Sequence, residues 1–129
     1  MHTNMTTKTS KPGAAVTYTI DASGRTLGRV ASEAAHALLG KRSVHFTKHL
    51  ALPMTVIVEN AAKMHLPSTR TKGKVYTHYT GFPGGLREMT MEEMITKKGI
   101  EEVVRKTVDG MIPRNRLRTP RMKNLVVKA

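Results

Sequence analysis

The stretch "VTYTIDASGRTLGRVASEAAHALLG", residues 16–40, decides the fold class because it sets a strand directly before a helix. Its first part alternates β-branched and polar residues, which predicts a strand ending at Asp21. Its second part repeats apolar residues at helical spacing, with Thr26 as N-cap and Gly40 as the stop. The apolar stripe of this helix comprises Leu27, Val30, Ala31, Ala34 and Leu38.

Gly28 lies inside the predicted helix, where glycine costs about 1 kcal/mol relative to alanine. Its presence indicates that another group approaches the helix closely at this point. Further along, "TVIVEN", residues 55–60, has the short β-branched pattern of a buried strand. Strand, helix and strand in succession predict a βαβ unit with parallel strands and a right-handed crossover.

The second half of the chain predicts a strand or hairpin, two helices and a last strand. "KVYTHYTG", residues 74–81, leads as a strand or hairpin into the glycine-rich loop "GFPGGL". Thr90 and Glu93 form a capping-box pattern that starts a helix. A further helix covers residues 100–111, where Glu102 and Lys106 have the spacing of an ion pair. "NLVV", residues 124–127, predicts the final strand.

Charge is the strongest compositional signal. The 129 residues contain 22 Lys and Arg against nine Asp and Glu, a formal net charge of +13. This exceeds the magnitude of about 2 to 8 that suits a small soluble domain. A polyanionic partner is therefore expected, with nucleic acid as the first candidate and an anionic membrane surface as the second. No apolar run approaches the ~20 residues of a membrane span.

Other functional classes find little support in the sequence. The absence of cysteine excludes disulfides and thiolate metal sites. His45 and His49 are four residues apart, but their segment has an extended pattern, so we expect no metal site and no cofactor. No cluster of residues calls for catalysis, although an enzyme with a dispersed site remains an alternative. Residues 1–15 predict a disordered basic extension rather than a secretory signal, and residues 16–129 a single domain.

The segment "GMIPRNRLRTPRMKNLVV", residues 110–127, concentrates arginine without any acidic residue. Pro113 and Pro120 disfavour a helix nearby, so the basic part, residues 113–123, is predicted to be extended. Residues two apart on an extended chain lie roughly 7 Å apart on one side. Four arginines would then offer guanidinium groups to successive phosphates: Arg114, Arg116, Arg118 and Arg121.

Two more segments predict contacts with nucleic acid. Arg25 and Arg29 lie near the start of the first helix, where free backbone N–H groups also favour an anion. Lys72 and Lys74 precede Tyr76 and His78. The ring faces of tyrosine and histidine can stack on unpaired bases. The glycines of the following loop would let the backbone approach a phosphate: Gly81, Gly84 and Gly85.

These segments resemble the large-subunit ribosomal protein thirteen family in its bacterial and organellar form. The resemblance rests on "IDASGRTLGRVASEAAHALLGK", "KVYTHYTGFPGGL" and "VVRKTVDGMIPRNRLRTPRMKNLVV" and covers roughly residues 17 to 128. It implies an α/β fold, three layers α/β/α with a mostly parallel four-stranded sheet. It also implies RNA-facing positions by motif: Arg25, Arg29, Lys41, Arg42, His49, His78, Gly81, Gly84, Gly85, Arg114, Arg118 and Lys123.

The resemblance implies a structural, non-enzymatic constituent of the large ribosomal subunit. Its implied partners are large-subunit ribosomal RNA and neighbouring ribosomal proteins, with an early role in subunit assembly. The expected location is the cytoplasmic ribosome, with an organelle matrix as the other possibility. A regulator that binds RNA away from the ribosome is the alternative function.

Overall fold

The computed structural model describes residues 15–129. The predicted N-terminal extension, residues 1–15, lies outside this part of the chain except for Ala15. The elements, in chain order, are β1 (Val16–Asp21), α1 (Leu27–Leu38), β2 (Met54–Glu59), a 3-10 helix (Ala61–Lys63), α2 (Ser68–Gly73), β3 (Val75–Tyr79), β4 (Leu86–Thr90), α3 (Met91–Lys98), α4 (Ile100–Met111), α5 (Arg118–Lys123) and β5 (Leu125–Val127).

The central sheet has three parallel strands in the order β1-β2-β5. The predicted βαβ unit is therefore confirmed for β1, α1 and β2. The expectation of a four-stranded sheet is wrong. Strands β3 and β4 pair with each other in antiparallel fashion and form a separate two-stranded sheet. A short loop joins them, and a two-stranded hairpin is the arrangement that so short a connection permits.

Helices cover one face of the parallel sheet among residues 15–129. Along β1, Tyr18 and Ile20 are buried while Thr17 and Thr19 are exposed. On β5, Val126 is 40% exposed between two buried neighbours. Helix α1 packs on β1 and β2, α4 packs on β5, and the two helices pack on each other. The described chain thus forms two layers, which corrects the expected third layer.

The first helix follows its predicted boundaries. All five residues of the predicted apolar stripe are buried, and they form the centre of the core with β2 and α4. Thr26 precedes the helix with an extended backbone, but its side chain makes no capping hydrogen bond. Gly40 follows the helix with φ of +82°, a left-handed conformation that favours glycine. Spacing of apolar residues was therefore a sufficient signal for this element.

Helices α3 and α4 begin where the sequence predicts them. Thr90 Oγ1 accepts a hydrogen bond from the Glu93 backbone N–H at 3.2 Å, which confirms the cap. Gly99, with φ of +86°, separates the two helices. Residues Val103, Val104 and Val108 of α4 lie in the core.

The exit segment departs from its prediction. Residues Arg118–Lys123 form the short helix α5, so segment 113–123 is not extended throughout. Pro120 is the third residue of this helix. A first-turn N–H has no partner inside a helix, so proline is tolerated there. The arginine row of an extended arm is therefore absent. Arg114 and Arg116 lie in the turns before α5, and Arg118 and Arg121 lie within α5.

Candidate nucleic-acid interface

An ion-pair cluster joins the two ends of α1. Glu33 Oε2 lies 2.6 Å from the Arg25 guanidinium, and Glu33 Oε1 lies 2.9 Å from that of Arg42. The Arg42 guanidinium also stands 5.8 Å from the ring centre of Tyr18. The Glu33 side chain is only 14% exposed, while the two arginines keep 33% and 21% of their surface. Glu33 therefore fixes both arginines while leaving each partly open to solvent.

The charge state of Glu33 follows from these contacts. Burial alone would raise the pKa of its carboxyl, but hydrogen bonds from Arg42 and Arg25 more than offset burial. The pKa of Glu33 is therefore lowered from its ordinary value of 4.5. At neutral pH the cluster carries one negative and two positive charges, so it keeps a net positive charge.

The start of α1 offers a second group of donors. Arg29 is exposed in the first turn. Since the Thr26 side chain does not cap the helix, the first backbone N–H groups lack a side-chain partner. Such an end favours an anion, as the sequence predicts for this segment.

The β3–β4 hairpin carries the aromatic residues of the predicted interface. His78 and Tyr79 are exposed at its far end, near the loop. Tyr76 is half-buried and packs against the core. Two ammonium groups flank its ring: Lys74 Nζ at 5.6 Å and Lys106 Nζ at 5.4 Å from the ring centre. Tyr76 thus organises cations at the base of the hairpin, while His78 and Tyr79 offer open faces at its tip.

The hairpin loop needs glycine for two different reasons. Gly81 and Gly84 have φ of +89° and +74°, a backbone conformation that residues with a Cβ atom rarely adopt. Gly85 instead lies where a Cβ would overlap the Thr80 side chain and stand 2.9 Å from the Phe82 carbonyl oxygen. The loop conformation therefore depends on these glycines, whatever binds to it.

The four arginines of the exit segment have different settings. Arg114 and Arg116 are exposed in the turns before α5. Arg118 pairs with Asp109 of α4, with Nε 3.3 Å from Oδ1. Arg121 is only 3% exposed.

Arg121 lies in a different environment from the one predicted for it. Its guanidinium reaches the Leu50 carbonyl oxygen at 3.5 Å, and its Nε has no hydrogen-bond partner. The side chain thus ties α5 to the connector that follows α1 and offers no surface cation. This corrects the expectation that Arg121 stands in the phosphate-facing row.

Most of the other predicted residues are open to solvent. Those classed as exposed are Arg29, Lys41, His49, Lys72, Lys74, His78, Gly81, Gly84, Arg114, Arg116 and Lys123. The sequence prediction missed Arg70 and Lys106, which share a cavity with Lys74 and Tyr76. Lys106 was assigned to an ion pair with Glu102, and within residues 15–129 that pair does not form. Tyr76 and Lys106 lie 30 residues apart in the sequence, so no local pattern indicates their contact.

Neither a metal centre nor a membrane span is found in the part of the chain that the structure describes. There, no three histidine, aspartate or glutamate residues are grouped so that they could hold a metal ion. None of the helices between residues 15 and 129 has the length and apolarity required to cross a bilayer.

Comparison with known proteins identifies the family. Residues 15–128 match the family described as Ribosomal protein L13. The Large ribosomal subunit protein uL13 of Chlamydia abortus is 44% identical over 108 residues, which cover 84% of this chain and 71% of that protein. The uL13 of Chlamydia muridarum is 46% identical over 110 residues, covering 85% and 73%.

A more distant bacterium gives a similar match. The uL13 of Rubrobacter xylanophilus is 41% identical over 112 residues, which cover 87% of this chain and 78% of that protein. The family match at residues 15–128 includes every element described above, from β1 to β5. The chain therefore belongs to the ribosomal protein L13 family.

Proposed function

We propose that this chain is a structural constituent of the large ribosomal subunit that binds ribosomal RNA and supports early subunit assembly. Its family consists of ribosomal components and not of enzymes, so no catalytic role is assigned. The relatives compared above are named as proteins of the large ribosomal subunit. Their similarity extends over more than four fifths of this chain.

One observation carries the RNA-binding part of the proposal: the net positive charge comes from segments outside α3 and α4, since acidic residues outnumber basic ones in these two helices. Five of the nine acidic residues fall between Glu92 and Asp109, in α3 and α4. The start of α1, the 41–49 connector, the 63–79 segment and the exit segment carry ten of the 16 exposed Lys and Arg in the described part of the chain. Because exposed cations lie in several separate segments, a folded RNA can place phosphates against several of them at once.

Specific roles for the surface residues follow from their chemistry. Arg29, Lys41, Lys72, Lys74, Arg114, Arg116 and Lys123 would contact phosphates and release counterions. Arg25 and Arg42, positioned by Glu33, would present guanidinium groups of fixed orientation to the backbone. His49, His78 and the loop glycines Gly81, Gly84 and Gly85 would approach the RNA closely, with His78 able to stack on an unpaired base.

The partners proposed are large-subunit ribosomal RNA and neighbouring proteins of that subunit. We place the chain on the cytoplasmic ribosome, since the relatives compared above come from bacteria. The alternative function is that of a regulator that binds RNA away from the ribosome.

A salt titration tests the RNA-binding proposal directly. Deproteinised large-subunit ribosomal RNA of Geobacter sulfurreducens, which has a relative 41% identical to this chain, serves as the probe. We expect specific binding, with log Kobs falling by about 0.7 to 0.9 per phosphate contact for each unit of log salt. Small-subunit ribosomal RNA of equal length is the control. Equal affinity for both RNAs would contradict a specific large-subunit role.

A further inference from the structure

A cavity of about 330 Å³ lies between the start of α1, the end of α2 and the end of α4. Its lining includes three cationic side chains: Arg70, Lys74 and Lys106. Leu27 and Met111 add apolar surface to the same lining. Among the described residues, no carboxylate lines the cavity, and the nearby Asp109 is paired with Arg118. A cavity lined by both cations and apolar groups fits a ligand that has an anionic group and a flat apolar part.

The cations are held close together by one aromatic ring. Lys74 and Lys106 both place their Nζ atoms within 6 Å of the Tyr76 ring centre. Burial raises the pKa of Tyr76, and the positive charge of Arg70 acts in the opposite direction. Arg70 therefore lies near the same ring. Because lysines already occupy its surroundings, Tyr76 positions the cations rather than stacking on a base.

Two glycines inside helices face the same cavity. Gly28 lies in the first turn of α1 and Gly110 in the last turn of α4. Glycine is the poorest helix former after proline, so such positions need a reason. A Cβ built on either residue would meet no atom within 4 Å. No packing inside the described chain therefore requires glycine here, and the space is left open toward the outside.

We propose that this cavity takes one unstacked nucleotide of the bound RNA, an inference that rests on the RNA-binding function proposed above. The nucleotide's phosphate contacts Arg70, Lys74 and Lys106. Its base and sugar lie against Leu27 and Met111, in the room left by the two glycines. Proteins read RNA in this way at bulges and loops, where unpaired bases can leave the stack.

Filling the cavity is the sharpest test, because the filling variant should fold well. Gly110→Leu replaces glycine with a strong helix former at a position with free space, so thermal unfolding should occur at a higher temperature than in the wild type. Binding to the Geobacter sulfurreducens large-subunit RNA should nevertheless weaken roughly tenfold, the scale of one lost base contact. A variant that is more stable yet binds less well cannot be explained by misfolding.

A charge variant tests the phosphate contact. Lys106→Gln should lower the salt slope of RNA binding by about 0.7 to 0.9, the value for one phosphate. Arg105→Gln is the matched control, since Arg105 is exposed on the same helix but does not line the cavity. The control should leave the slope closer to that of the wild type.

The outcomes separate this inference from the function on which it rests. If the wild type binds the RNA specifically while Gly110→Leu binds equally well, the cavity proposal fails and the RNA-binding function stands. If the wild type shows no specific binding, the proposed function itself fails. Millimolar AMP and UMP provide a further arm. Tight binding of these free nucleotides to the wild type, lost in Gly110→Leu, would overturn the assignment of the cavity to RNA.

Discussion

Glu33 is the residue on which the cluster at the ends of α1 depends. Its carboxylate accepts hydrogen bonds from Arg25 and Arg42, which lie before and after the helix. Without the carboxylate, the two guanidinium groups would lose the negative charge that lies between them. One acidic residue therefore determines the orientation of two arginines proposed to face RNA.

Replacing Glu33 by glutamine should lower the free energy of unfolding by about 1.5 to 3 kcal/mol at neutral pH, the range for hydrogen bonds to charged groups. The pKa of Glu33 is lowered in the folded state, so its contribution is fully present above the ordinary value of 4.5. The contribution is lost as the pH falls through the lower folded value.

Urea unfolding of the wild type and Glu33→Gln at a series of pH values measures this difference. The two curves should be separated at neutral pH and should converge as the pH falls from 4.5 through the lower folded pKa of Glu33. A constant separation down to pH 2, or none at pH 7, would show that the ion pairs do not stabilise the fold.

Arg118 and Arg121 should behave differently although the sequence groups them together. Arg121→Met removes a buried charge, and replacement of buried charges by apolar groups of similar volume is often neutral or stabilising. The salt slope of RNA binding should not change in this variant. Arg118→Ala should lower the slope by about 1 if Arg118 contacts one phosphate. A lowered slope in Arg121→Met would show that the side chain leaves the core to bind RNA.

Among the elements, the β3–β4 hairpin depends most on the chemistry of its loop. Gly85 donates its backbone N–H to the Phe82 carbonyl at 3.0 Å, and its own carbonyl accepts from Thr80. A side chain at Gly85 would approach the Phe82 carbonyl oxygen at 2.9 Å, and this backbone atom cannot rotate away. The tip of the hairpin would therefore have to change its conformation.

Gly85→Ala should destabilise the protein by about 1 to 3 kcal/mol and weaken RNA binding through the displaced loop. Gly73→Ala is the control, because a Cβ at the end of α2 meets no atom within 4 Å. Thermal unfolding and the RNA-binding assay would be run on both variants. If Gly85→Ala matched Gly73→Ala in both measurements, the loop would not need its glycine.

The elements also show what the sequence can predict. Strands β1, β2 and β5 and helices α1, α3 and α4 follow from apolar spacing, because each buries one face in the core. Strand β4 escaped prediction, since "LREMT" is half-exposed and gains its hydrogen bonds only from β3. Helices α2 and α5 are six residues long, too short for a periodic signal.

The sequence predicted the general location of the RNA-binding site but not the setting of every residue in it. Exposed cations such as Arg29 and Lys72 follow from composition and motif. The burial of Arg121 and the contact of Lys106 with Tyr76 depend on tertiary packing, which no local pattern reports. The alternating threonines of β1 were a signal that one sheet face lacks a covering layer, since strands buried on both faces are more uniformly apolar.

The whole molecule combines a small core with a net charge of +13. Such an excess destabilises the compact state through repulsion between like charges. Raising the sodium chloride concentration from 0.01 M to 0.3 M would shorten the screening length from about 30 Å to below 10 Å. We therefore expect the free protein to unfold at a higher temperature in the saltier buffer.

Differential scanning calorimetry of the free chain measures this effect. A gain of about 1 kcal/mol would correspond to about 4 °C for a domain of this size. Sodium sulfate and sodium chloride at equal ionic strength distinguish general screening from binding of a particular anion. A melting temperature that falls with sodium chloride would mean that attractive pairs such as Glu33 with Arg25 and Arg42 outweigh the repulsion.

Sedimentation of the protein in gently lysed source cells tests the central claim most directly. The lysate is layered on a sucrose gradient in low magnesium, so that the ribosomal subunits separate, and fractions are probed with an antibody to this chain. We predict that the protein travels with the large subunit and is released by ribonuclease or high salt. A protein found mostly at the top of the gradient would contradict the structural role and would favour a regulator acting away from the ribosome.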